Sequence, residues 1–153
     1  MIGTPAAGGA TASDVDAADA RELRDALITV LLAHSGDDAV AGEAQSDAET
    51  FLWSIAERFP LTSVVTARGA NLVSRQAGVP HLMGTVLAAV VESALSGDWA
   101  RVKACRNPPC HTGFFDHSRN RTAGFCSSGC RSQASMRAYR ARRKAGPNDP
   151  AES

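Results

Sequence analysis

The sequence predicts an α+β protein in which a mainly helical N-terminal domain with a short β-hairpin precedes a small cysteine-bearing module and a basic C-terminal helix. Three observations support this prediction. Apolar residues recur at helical spacing in three segments before residue 97. All four cysteines lie in the last third of the chain. The residues that follow them are rich in arginine and lack acidic side chains up to residue 144.

Charge divides the chain into two unlike parts. Residues 1–100 hold five Arg and no Lys against thirteen Asp and Glu, a net charge of −8. Residues 101–144 hold eleven Lys and Arg against the single Asp116, a net charge of +10, and residues 145–153 contribute −2. The formal net charge of zero therefore averages an acidic body and a basic appendage, and a basic appendage favours a polyanionic partner.

Local signals place the first two helices. Ser13 and Asp16 form a capping-box pattern that opens a helix over residues 14–34. A second capping-box pattern, Ser46 to Glu49, opens another helix, which Pro60 ends.

A β-hairpin and a third helix complete the predicted N-terminal domain. β-branched and leucine pairs flank a turn predicted at residues 68–71 within the hairpin of residues 61–76. The third helix is expected over residues 80–96 and Gly97 ends it. Its buried stripe is predicted to be Met83, Val86, Leu87, Val90 and Ala94.

These elements divide the chain into four parts. We expect a disordered start over residues 1–13, a helical or α+β domain over 14–97, a second module over 98–144 and a disordered tail over 145–153. No secretory signal is visible, and no apolar stretch is expected to reach the ~18 residues of a membrane span. We therefore predict a cytoplasmic protein without a membrane partner, in which thiols stay reduced.

The spacing of the cysteines predicts a metal site. They form a C-x4-C pair and a C-x3-C pair fifteen residues apart: Cys105, Cys110, Cys126 and Cys130. Two close pairs of thiols joined by a loop suit one tetrahedral Zn²⁺, and four thiolates leave no open position for water, so the zinc is predicted to be structural. His111 and His117 are alternative ligands, and free or disulfide-linked cysteines are the alternative to metal binding.

The loop between the two cysteine pairs predicts a second hairpin. Residues 113–116 form its first strand, residues 118–121 its turn and residues 123–125 its return. A knuckle, a hairpin and a helix whose first turn supplies the last two ligands resemble a treble-clef zinc finger. Three phenylalanines are expected to cover the metal: Phe114, Phe115 and Phe125. Asp116 is expected to hold the turn or to accept a hydrogen bond near the ligands.

The basic helix is predicted over residues 127–144, with Ala134, Ala138 and Ala141 on the side that packs on the metal module. The helix has no acidic residue, so neighbouring ion pairs cannot offset the repulsion among its charges, whereas a polyanion can. The candidate nucleic-acid contacts are mostly to phosphates, with the glutamine as a candidate base reader: Arg131, Gln133, Arg137, Arg140, Arg142, Arg143 and Lys144. A solvated face, or docking onto an acidic protein surface, is the alternative.

These residues resemble a known family. Residues 103–110, residues 114–120 and the last two cysteines with the Arg-rich helix are similar to the CGNR zinc fingers over about residues 98–144. In that family the finger follows an ABATE domain, which residues 17–97 resemble more loosely. The resemblance implies that the four cysteines bind zinc and that the protein is a stress-induced bacterial transcription regulator. The family's Cys-Gly-Asn-Arg is here Cys130-Arg131-Ser132-Gln133, so only the role of the cysteine carries over.

The sequence thus predicts a DNA-binding transcription regulator that pairs as a homodimer through its N-terminal domain. The alternatives are a protein-interaction adaptor and an RNA-binding protein, each with a purely structural zinc. An enzyme is not expected, since no nucleophile with a base is recognisable and a four-thiolate metal site is closed.

Overall fold

The computed structural model describes residues 13–145. Within this range the chain forms four α-helices and two antiparallel sheets of two strands each, which confirms the α+β class. The elements in chain order are α1 (Asp14–His34), α2 (Glu43–Arg58), β1 (Leu61–Thr66), β2 (Gly69–Ser74), α3 (Gly78–Leu95), β3 (Val102–Ala104), β4 (Gly113–Phe115) and α4 (Ser128–Ala145). The predicted disorder of the two ends lies largely outside the described residues, but Ser13 caps α1 and Ala145 ends α4.

Helix α1 begins where the sequence predicts. The Asp16 backbone N–H donates to Ser13 Oγ at 3.1 Å, and the Ser13 N–H donates to the Asp16 carboxylate at 2.9 Å. This reciprocal pair satisfies two N–H groups that the helix itself cannot. The local signal is sufficient here because both partners lie within one turn.

Helix α2 begins earlier than predicted. It starts at Glu43 after Gly42, whose φ of 80° is accessible to glycine at little cost. Ser46 lies inside the helix, and its N–H donates to the Gly42 carbonyl at 3.0 Å, so the predicted second capping box was wrong. The pattern misleads because serine and glutamate three residues apart also fit a helix interior.

The first hairpin is confirmed, with its turn two residues earlier than predicted. Strands β1 and β2 pair in register from Leu61 with Ser74 to Thr66 with Gly69, which leaves Ala67 and Arg68 as the turn. The Thr66 hydroxyl both accepts from the Arg68 N–H at 3.2 Å and donates to the Gly69 carbonyl at 3.1 Å.

Helix α3 confirms Met83 and Leu87 of the predicted stripe, but Val86 and Ala94 are exposed and the buried face is completed by Gly84 and Ala88. The glycine decides this orientation, because a Cβ at position 84 would lie 2.6 Å from the Cβ of Ser74. Strand β2 therefore packs against α3 at a position that only glycine allows.

The core of the N-terminal part joins three helices. Its main cluster comprises Leu23, Ile55, Phe59, Met83 and Leu87. A smaller cluster of α1 and α2 comprises Ala26, Val30 and Ala48, with Trp99 packed against it. The last contact links this core to the segment that leads into β3.

Helix α3 is long and apolar enough to cross a membrane by length and composition, contrary to the sequence-based expectation that no segment would be. In the structure it packs against β2 and contributes to the core cluster. Its one charged residue, Glu92, accepts a hydrogen bond from the Leu72 N–H of β2 at 3.0 Å.

The C-terminal end of α1 holds β3. His34 Nδ1 lies 2.9 Å from the Val102 carbonyl oxygen, and the Ser35 hydroxyl donates to the Ala104 carbonyl at 2.6 Å. The rings of His34 and Trp99 meet edge to face with centroids 5.1 Å apart. These contacts attach the strand that precedes the first cysteine directly to the N-terminal core.

Candidate metal centre

The first cysteine pair lies in a tight turn between β3 and β4. Cys105 is fully buried and its N–H donates to the Thr112 carbonyl at 3.0 Å. The Cys110 N–H donates to the Asn107 carbonyl at 2.7 Å, which closes the turn. The two thiols are thereby brought to one side of the knuckle.

The strand that pairs with β4 is not the predicted one. Residues 113–115 form β4 as expected, but they pair with β3, from Val102 with Phe115 to Ala104 with Gly113. Residues 123–125 form no strand, because their backbone groups bind elsewhere: the Gly124 carbonyl accepts from the Arg106 N–H at 2.9 Å. The hairpin therefore contains the first cysteine pair at its tip.

The phenylalanines cover the site unevenly. Phe114 and Phe125 are half-buried, whereas Phe115 is 40 % exposed and its ring lies 4.9 Å from that of His117. The expectation that all three shield the metal was wrong for Phe115. This residue lies on the face of the two-stranded β3–β4 sheet that is open to solvent.

The second cysteine pair straddles the start of α4. Cys126 precedes the helix by two residues and Cys130 lies in its first turn, so only Cys130 is a helical ligand. The Cys130 N–H donates to Ser127 Oγ at 3.2 Å, an N-terminal cap that fixes the helix start. The direction of α4 is therefore tied to the metal site.

The four sulfurs form a cluster of the size that zinc requires. All four Sγ atoms lie within 4.8 Å of one another, and Cys126 Sγ is 3.7 Å from both Cys110 Sγ and Cys130 Sγ. Zinc–sulfur bonds of ~2.3 Å in a tetrahedron place the sulfurs about 3.8 Å apart. All four cysteines are free thiols, and neither His111 nor His117 belongs to the cluster. The site can hold one zinc ion.

Hydrogen bonds favour the thiolate form at two of the four cysteines. Hydrogen bonding to Thr112 lowers the pKa of Cys110 to about 6, and hydrogen bonds from Asn107 and then Ser127 lower the pKa of Cys130. Burial, followed by the neighbouring sulfurs, raises the pKa of Cys126 to about 12. Four sulfurs at these distances cannot all be thiolates without a compensating charge, which a divalent metal supplies.

A buried ion pair supports the loop between the cysteine pairs. Lys103 Nζ donates to Asp116 Oδ2 at 2.7 Å, and their side chains are 3 % and 0 % exposed. The carboxylate also accepts from the Ser118 N–H at 2.8 Å and the Ala123 N–H at 3.0 Å. Asp116 therefore holds the turn, as predicted.

Lys103 was not identified from the sequence. Its ammonium also donates to the Arg121 carbonyl at 2.6 Å, so it ties β3 to the far side of the loop. The one signal for this contact is that Asp116 is the single acidic residue of a +10 segment. That pattern predicts a paired carboxylate but does not say which of eleven cations pairs with it.

The predicted nucleic-acid contacts share one helix. All seven lie on α4 and are exposed: Arg131, Gln133, Arg137, Arg140, Arg142, Arg143 and Lys144. The predicted packing face was wrong beyond its first member, since Ala134 is half-buried but Ala138 and Ala141 are exposed. No residue of α4 is buried, so the helix extends away from the knuckle after its first turns.

Comparison with known families supports the metal assignment. Residues 101–143 match the family model of the CGNR zinc finger. A search of curated proteins with the whole sequence gave no match. Residues 101–143 are thus similar to a CGNR zinc finger, and the four clustered cysteines within them can bind one zinc ion.

Proposed function

We propose that this protein is a cytoplasmic DNA-binding regulator of transcription in which a structural zinc holds α4 for contact with DNA. The observation that carries the proposal is that α4 is exposed over most of its length and that its positive charges are not neutralised within the described structure. It has no buried residue and no acidic residue, and among residues 13–145 none of its six Lys and Arg side chains forms an ion pair.

The zinc has a mechanical role in this proposal. Cys105 follows a strand that α1 holds, and Cys130 lies in the first turn of α4, so one ion bound to both joins the helix to the N-terminal core. Four thiolate ligands leave no site for a substrate or water, so the proposal assigns no catalysis. The arrangement of knuckle, loop and helix supports a treble-clef-like finger.

The charge of α4 favours a phosphate backbone as its partner. The helix has eighteen residues and is about 27 Å long, enough to follow a groove of duplex DNA. Five of its six cations are arginines, whose planar guanidinium groups bind phosphate or guanine with two hydrogen bonds. The looser resemblance of residues 17–97 to an ABATE domain adds stress response to the proposed regulation.

A salt titration of zinc-loaded full-length protein on duplex DNA tests the proposal. Six phosphate contacts predict that log K falls with log salt concentration with a slope of about −5. Replacing Arg137 or Arg142 by Gln should flatten the slope by about 1 each. Asp25→Asn on the exposed surface of α1 serves as a control that leaves the slope unchanged. No binding, or a slope near zero, would contradict the proposal.

A comparison of nucleic acids separates DNA binding from the two alternative functions. Duplex DNA, single-stranded RNA and double-stranded RNA of matched sequence are compared at one salt concentration. Stronger binding to either RNA favours the RNA-binding alternative. Protein capture that survives nuclease treatment, with no binding to any nucleic acid, favours an adaptor instead.

The proposal includes a homodimer formed by the N-terminal part. One finger offers few contacts, so useful affinity requires two. Two N-terminal parts of charge −8 repel each other except through an uncharged face. Leu82 and Val86, one turn apart on α3, are 62 % and 43 % exposed and offer such a face. Light scattering should give a dimer mass that Leu82→Ser together with Val86→Ser reduces to that of a monomer. A monomer at concentrations that bind DNA would contradict this part.

A further inference from the structure

Helix α4 presents two kinds of exposed surface, and the second is not explained by phosphate binding. Met136 and Tyr139 are 51 % and 49 % exposed on a helix that is otherwise alanine, small polar and basic residues. At about 100° per residue, they share an arc of about 60° with Ser132 and Arg143. We name these four residues the ridge of α4.

The ridge has internal contacts that keep it together. The Arg143 guanidinium lies 5.8 Å from the centroid of the Tyr139 ring, within the range of a cation–π interaction. The ridge lies opposite Cys130 and Ala134, the half-buried residues of the same helix, and so it faces away from the knuckle. Nothing in the described structure covers it.

Basic residues flank the ridge on both sides. Arg137, Arg140 and Lys144 lie along one side of it, and Arg131 and Arg142 along the other, by the same helical spacing. A helix in the major groove of DNA has this distribution. Its central side chains meet base edges while its two flanks meet the two phosphate backbones.

Gln133 does not belong to the ridge. Its side-chain oxygen accepts a hydrogen bond from Asn107 Nδ2 of the knuckle at 3.0 Å. This contact holds the amide against the metal-binding turn. The residue first expected to contact bases is therefore engaged in fixing α4 to the knuckle.

We propose that α4 enters the major groove with the ridge facing the bases, and that Met136 and Tyr139 determine sequence preference by apolar contact with thymine methyl groups. This inference rests on the proposed DNA binding. Among base edges of the major groove the thymine methyl is the apolar feature, and apolar side chains recognise it. Arginine and lysine on the flanks supply affinity that does not depend on sequence.

The experiment starts from zinc-loaded full-length protein and a selection from random duplex DNA. The affinity ratio between the selected duplex and a scrambled one is then measured for the protein and for Met136→Ala, Tyr139→Ala and Ser135→Ala. The first two variants should each lower the ratio at least about fivefold without changing the salt slope. Ser135→Ala, outside the ridge, should leave it unchanged. Replacing thymine by uracil in the selected duplex removes the methyl groups. It should lower the ratio for the protein and for Ser135→Ala, and lower it less for Met136→Ala and Tyr139→Ala, which have each lost one of the two contacts.

Each outcome bears on a different claim. If every variant keeps the ratio, or if selection enriches no sequence while the salt slope stays near −5, the ridge does not contact bases and the inference fails while DNA binding stands. If the protein binds no duplex, the proposed function itself fails. Zinc content and helical circular dichroism verify that each variant is folded. We expect all three variants to fold, because the substituted side chains are exposed.

Discussion

Removal of zinc is expected to unfold residues 101–145 and to lower the melting temperature of the N-terminal helices as well. Within this segment the buried apolar residues are only Ala104 and Cys105, so hydrophobic burial cannot hold the finger. A structural zinc contributes on the order of 10 kcal/mol to such modules. Circular dichroism and metal analysis, before and after chelation, measure the loss of α4 and of the ion.

The effect on the N-terminal helices follows from the contacts of β3. If β3 disorders, His34 and Ser35 lose their carbonyl partners and Trp99 loses its position against the core. Cys105→Ser should reproduce the result of chelation in the absence of chelator. Ser127→Ala, which removes one cap but no ligand, is the control and should keep zinc with a stability loss of about 1 kcal/mol. A C-terminal fold that survives complete metal removal would contradict this prediction.

Breaking the buried ion pair is expected to have the next largest effect. Asp116→Asn leaves the Lys103 ammonium buried without a counter-charge, which should cost about 3–5 kcal/mol of unfolding free energy. Replacing both partners, by Lys103→Met with Asp116→Leu, should recover part of this loss because no charge then stays buried. Denaturant unfolding of zinc-loaded protein measures each value.

The exposed pair of Arg24 and Asp25 provides the matched control. Their side chains are 62 % and 63 % exposed, so Arg24→Gln should change the stability by less than about 1 kcal/mol. Equal effects of Arg24→Gln and Asp116→Asn would show that burial does not set the strength of the Lys103 contact.

The pKa of Asp116 determines how the destabilisation by Asp116→Asn depends on pH. Burial raises the pKa of Asp116, but hydrogen bonds from Lys103, Ser118 and Ala123 outweigh it, and the net pKa lies well below the ordinary value. Stability from a carboxylate with a lowered folded pKa is complete above its unfolded pKa of about 3.9 and is lost only as the pH falls further. The destabilisation by Asp116→Asn should therefore be constant between about pH 6 and 8. A decrease of that destabilisation within this range would contradict the assignment.

Local signals accounted for the features that the sequence predicted correctly. The cap of α1 needs only Ser13 and Asp16, which lie in one turn, and the zinc cluster needs only the spacing of two thiol pairs. The hairpin of residues 61–74 and the exposed basic helix likewise follow from patterns within about twenty residues of sequence. Each of these features depends on groups that are neighbours along the chain.

Features that depend on distant partners were missed or misplaced. The partner of β4 is β3 rather than residues 123–125, because the first cysteine pair forms the tip of the hairpin. The buried face of α3 follows Gly84 and its contact with Ser74, which periodicity does not reveal. The sequence also does not show that Met136 and Tyr139 are exposed. That became clear only from the structure, in which no residue of α4 is buried.

The sequence by itself determined which four cysteines can bind a metal, the division of charge and most helix positions, since these follow from residue type and short spacing. Only the tertiary structure decided how the metal module attaches to α1, which cation neutralises Asp116, and which face of α4 is open. The physical reason is that these outcomes depend on which surfaces meet after the chain has folded. The hydrogen bond between Ser35 and Ala104, for example, joins residues 69 positions apart, and no pattern in the sequence predicts it.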